Sequence, residues 1–69
     1  MRIFLRNYQT GAFFKSAGNW TEFLVEGHEF PSADRAVEVA QELKLQKIEM
    51  VVIGHDGKTL LGTRLDIEP

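Results

Sequence analysis

Only one stretch of this sequence, Ser32 to Lys47, repeats its apolar residues at spacings of three and four. Most of the rest alternates. That restricts the fold more than any other feature, because a single helix can cover only one face of a sheet. Ser32 is a good N-cap, and Pro31 before it resists the helix interior. Asp34 places a negative charge in the first turn, where the helix end is positive. Ala33, Ala36, Val37, Ala40 and Leu43 share one face, and Arg35, Glu38 and Glu42 take the other. The alanines of the apolar face let the helix lie close to whatever it covers. Lys44 and Lys47 suit the negative C-terminal end.

The flanking segments read as strands. Arg2 to Arg6 alternates strictly, with Ile3 and Leu5 on one side and Arg2, Phe4 and Arg6 on the other. Asn7 to Gly11 is a turn, and Ala12 to Lys15 returns as the second arm of a hairpin. After a turn at Ser16 to Asn19, the aromatic and β-branched residues of Trp20 to Glu26 favour a third strand, with a single helical turn as the alternative. Ile48 to Ile53 is β-branched and strand-like. Gly54-His55-Asp56-Gly57 supplies a hairpin turn, and Thr59 to Ile67 closes the chain with Leu61, Thr63, Leu65 and Ile67 on one face. The expected fold is α+β: a mainly antiparallel sheet of four or five strands in the order β-β-(β)-α-β-β, with one helix packed on one face. The two hairpins are expected at opposite sides, with the first strand beside a C-terminal strand in the middle.

Residues 1–69 suit one domain, and 43% hydrophobic with 26% charged residues is ordinary for a globular chain. There is no cysteine, so disulfides and thiolate metal sites are excluded. The net charge of −2 gives no bulk basic field to attract nucleic acid. Met1 to Arg6 is too short and too charged for a signal-peptide core, and the longest aliphatic run, Met50 to Ile53, is far below membrane-spanning length. A cytoplasmic location without a membrane partner is the expectation.

Phe4-Leu5-Arg6-Asn7, Thr10-Gly11-Ala12-Phe13-Phe14, Trp20-Thr21, Phe30 and the helix alanines Ala36 and Ala40 together resemble a group of small bacterial proteins of unknown function. The resemblance covers about the first two-thirds of the chain. It rests on turn glycines, aromatics and helix alanines, so it implies a fold and no activity. Members tend to carry a polar segment after the tryptophan and an alanine at the position of Gly27. Here Phe23-Leu24-Val25 and Gly27 stand instead.

Catalytic signatures are lacking. His28 neighbours Glu29 and His55 neighbours Asp56, and adjacent residues rarely aim at one ion. Ser32 is explained by capping, no Gly-x-Ser-x-Gly elbow exists, and Gly54 to Gly57 joins two strands, unlike a phosphate loop. No enzyme activity and no cofactor are expected. The helix-free sheet face is the feature that suggests a function. Phe4 points there, with one of Phe13 and Phe14, and each such side chain would gain roughly 1.5–3 kcal/mol on being covered. The expectation is therefore an interaction module that contacts itself or another protein. Its candidate residues are Phe4, Phe14 and Trp20, then Arg2, Arg6, Lys15 and Arg64, with Phe13 replacing Phe14 if the latter points inward. A second reading uses Arg2, Phe4, Arg6, Lys15 and Arg64 to hold single-stranded nucleic acid by stacking and charge. A third places a small ligand or enzyme site near Trp20, lined by Tyr8 and His28, against the alternative that Trp20 caps the core.

Overall fold

The structure, a computed structural model, describes residues 2–65, and for residues 59–61 the backbone. Five strands and one helix follow in the order β1 (Arg2–Asn7), β2 (Phe13–Ser16), β3 (Asn19–Thr21), α1 (Ala33–Glu42), β4 (Ile48–Ile53) and β5 (Thr59–Leu65). The sheet is antiparallel throughout, in the spatial order β3-β2-β1-β4-β5. The α+β expectation holds, with the hairpins on opposite sides and β1 beside β4 in the middle. Ile67, placed on the last strand, lies outside the described residues.

Asn7 makes the first turn. Its side-chain oxygen accepts from the backbone N–H groups of Gln9 and Thr10, at 2.8 and 3.1 Å. Its carbonyl accepts from Gly11, whose φ of +79° is open to glycine without strain. The chain then re-pairs at Arg6 and Phe13.

The segment from Trp20 to Glu26 divides. β3 ends at Thr21, whose hydroxyl accepts from the N–H of Phe23, at 3.1 Å, and Leu24–Glu26 then forms a single 3₁₀ turn. The strand reading holds only for Trp20 and Thr21 and the helical-turn reading for Leu24–Glu26, while Glu22 and Phe23 lie in neither element. A side chain that bonds its own backbone two residues on turns the chain away from the ladder.

Register assigns the two faces. Phe4 stands opposite Val51, Leu5 opposite Met50, Arg6 opposite Glu49 and Phe13. Ile3, Leu5, Phe14, Ile48, Met50 and Leu65 therefore meet α1 and Phe30 on one face. Phe4, Val51, Ile53 and Phe13 occupy the other, with Leu24.

The helix starts at the expected cap: the Ser32 hydroxyl accepts from the N–H of Arg35, at 3.2 Å. Its buried face is centred on Ala36 and Ala40, with Val39 packed against the core. Ala33 and Leu43, expected on that face, are exposed. For Leu43 the reason lies at the C-terminus. Leu43 is the C-cap, Lys44 turns left-handed at φ 51°, and the N–H of Leu45 reaches back 3.0 Å to the carbonyl of Ala40. This terminating bond pattern returns Leu45 to the core in the place expected for Leu43.

The connection between the 3₁₀ turn and α1 goes through the sheet. The N–H of His28 donates to the carbonyl of Phe14 on β2, at 2.9 Å, and the N–H of Phe30 to that of Ile3 on β1, at 2.8 Å. Residues 28–30 therefore fill a gap between β1 and β2, with Phe30 forming an isolated antiparallel bridge to Ile3. Leu24 lies on the helix-free face and Phe30 on the helix face. Gly27 stands at the mouth of this passage. A Cβ there would lie 3.2 Å from the carbonyl oxygen of Leu24 and 3.4 Å from both Phe13 and Phe4, so a side chain here would require the Leu24 carbonyl to give by a few tenths of an ångström.

Candidate functional site

The face opposite the helix has a dry centre. Phe4 is fully buried, and Val51 and Ile53 are nearly so. Leu24 and the edge of Phe13, whose ring meets Phe4 edge-on at 6.4 Å, roof this cluster. The expectation that Phe4 is a wet contact residue is corrected: the turn at residues 24–26, anchored by Leu24, covers it. Phe14 is corrected as well. It points to the helix side, is 95% shielded, and stacks on Phe30 at 6.1 Å. Phe13 replaces it on the helix-free face and is half-buried.

The three arginines of this face are engaged. Arg2 donates to Glu29 at 2.8 Å, and its guanidinium lies 5.1 Å from the centre of the Phe4 ring. Arg6 donates its Nε–H to Glu49, at 2.7 Å, and adds a second contact through Nη2 to the same oxygen. Arg64, directly across from Glu49 on β5, lies 4.4 Å over the ring of Tyr8. Arg6, Glu49, Arg64 and Tyr8 thus form one polar end of the sheet face, in which the largely shielded Glu49 is flanked by two arginines. Lys15 is exposed on β2.

Trp20 pairs opposite Phe14 and meets its ring edge-on at 5.7 Å. His28 approaches the same ring at 6.4 Å and packs on Phe30 at 4.6 Å. The structure therefore brings Trp20 and His28 to one aromatic cluster and leaves Tyr8 elsewhere, under Arg64. At this site Trp20 caps the edge of the helix-side core while remaining partly wet. The described residues form no pocket, and among them no group of three or more His, Asp or Glu side chains could share a metal ion. No described helix is long and apolar enough to cross a membrane.

No family model, curated protein or solved structure matches the chain.

What the strand pattern alone does not reveal is the ridge above the dry centre. With Leu24 turned inward, its neighbours must point out: Phe23 is 63% and Val25 84% exposed. They are the most exposed large apolar side chains of the described chain. Glu22 and Glu26 flank them, both exposed. The turn is firmly tied. Besides the Thr21 bond to Phe23, the N–H of Glu26 donates to the carbonyl of Phe23 and that of Gly27 to Leu24, both at 3.0 Å. The signal in the sequence was the apolar triplet Phe23-Leu24-Val25.

Proposed function

We propose that this chain is a non-catalytic interaction module that makes protein contact through its helix-free side, and that the contact is centred on Phe23 and Val25. The observation that carries the reading is their exposure on a turn held rigidly by its own backbone bonds and by Leu24. A fixed apolar protrusion loses little conformational freedom on binding, so more of its burial appears as affinity. Phe23 is an aromatic anchor of the kind that dominates contact energetics.

Less supports nucleic-acid contact on the same face. A stacking platform needs exposed rings and free cations, whereas Phe4 is buried, Arg2 and Arg6 are ion-paired and Arg64 is laid over Tyr8, which leaves Lys15 as the one cation of that set without a partner among the described residues.

The test is a photo-crosslinking scan in cells that make the chain, with p-benzoylphenylalanine at position 23, 25, 35 or 38. Positions 35 and 38 lie on the outward face of α1 and serve as controls. Protein adducts at 23 and 25, resistant to nuclease and absent at 35 and 38, are the expected result. Adducts that nuclease removes, or none at 23 and 25, would refute the reading.

A further inference from the structure

The Phe23–Val25 ridge also carries information about what it meets. A second copy of the chain is a poor occupant on three counts. Two ridges laid against each other would bury on the order of 500 Å² in total, taking about 200 Å² for a phenylalanine side chain, while stable specific interfaces bury roughly 1,200–2,000 Å². The described surface has no pocket to receive the ridge of a copy. Glu22 and Glu26 of one copy would face the same pair of the other, setting four carboxylates around a contact that excludes water.

The same features define a better occupant. The ridge is convex and apolar along its crest, and negative on both flanks. Neither flanking carboxylate has an ion-pair partner among the described residues, whereas Glu29, six residues after Phe23 in the chain, is already engaged by Arg2. We infer, on the basis of the contact reading above, that the ridge docks into an apolar cleft of a different protein whose rim carries lysine or arginine. The crest supplies burial, and the two glutamates set orientation against the basic rim. Electrostatic complementarity of this kind mainly governs encounter rate and partner choice.

The experiment uses the full chain with p-benzoylphenylalanine at position 23, alone and combined with Glu22→Lys/Glu26→Lys or Glu22→Gln/Glu26→Gln. Sedimentation equilibrium is run in parallel on the unlabelled protein at 10–500 µM, roughly the range over which weak dimers form. The inference expects a monomer throughout that range. It also expects an adduct heavier than two copies of the chain, whose yield falls about tenfold on charge reversal and by less on neutralisation. Circular dichroism of each variant confirms that the exposed substitutions leave the fold intact. An adduct of twice the chain mass, or a dimer abolished by Phe23→Ser, overturns the inference while sparing the contact reading. A heavier adduct insensitive to charge reversal also overturns it, because the rim is then not basic. No adduct at position 23 or 25 removes both.

Discussion

Replacing Phe4 separates two views of the molecule that differ by several kcal/mol. If the helix-free face were bare, Phe4 would be a surface residue, and truncating it would change stability by no more than about 0.5 kcal/mol. Instead it is fully buried among Val51, Ile53, Phe13 and Leu24. Deleting a buried phenylalanine to alanine costs about 3–5 kcal/mol. A domain of 69 residues has a total stability of about 3.5–10 kcal/mol at 0.05–0.15 kcal/mol per residue. Phe4→Ala should therefore remove between about a third and all of that stability. Phe4→Leu is the informative variant. It loses part of the ring volume, the edge-on contact with Phe13 and the Arg2 guanidinium over the ring, for a cost of about 1–2 kcal/mol. With a urea m-value near 1 kcal/mol/M, the midpoint should fall by about 1–2 M. Phe23→Leu, at the exposed crest, should shift it by less than about 0.5 M. Equal midpoints for Phe4→Leu and the parent protein would refute the covered second face, and with it the place assigned to Leu24.

Three other substitutions probe the backbone and the polar end of the sheet. Lys44→Gly should raise stability by about 1 kcal/mol, since lysine holds a left-handed C-cap position suited to glycine; chemical denaturation reads the change. Gly11→Ala should cost about 1–2 kcal/mol through backbone strain alone, because no atom lies within 4 Å of the added Cβ. A synthetic chain with D-alanine at the same position should melt above the parent, which a purely steric cost would not allow. Glu49→Ala should cost about 1–2 kcal/mol by removing the charged acceptor of Arg6, and the loss should shrink in 1 M NaCl, measured by urea titration.

The regular elements were legible because local pattern and burial agree in them. Ser32 starts the helix as its side chain dictates, and the β-branched run Ile48 to Ile53 forms the strand that its composition favours. The terminating turn of α1 was less so. Lys44 takes a backbone conformation that glycine usually signals, and Leu45 then fills the space that periodicity gives to Leu43. The covering of the second face was not legible at all. Alternation fixes that Phe4 points away from the helix, but it says nothing about what lies above it. Only the path of residues 22–30 decides that. The cue, an apolar Phe23-Leu24-Val25 beside Gly27, names the residues without saying that Leu24 goes in and its neighbours go out.

That path explains how a chain with one helix shelters two faces. A connection that stayed on the helix side would leave Phe4, Val51 and Ile53 wet, and the exposed apolar area would then be spread across the sheet. Here the chain first lays Leu24 on the helix-free face, then crosses between β1 and β2 at Gly27 to Phe30, and only afterwards starts the helix. The crossing satisfies the carbonyls of Phe14 and Ile3, so the gap in the sheet leaves neither without a donor. Its consequence is a transfer of exposure. The broad apolar face becomes interior, and the apolar surface that remains is gathered on a turn with Phe23 and Val25 at its crest. Since the same Leu24 roofs Phe4 and fixes the turn, the proposed contact surface and the second core form one structural unit: loosening either should loosen the other.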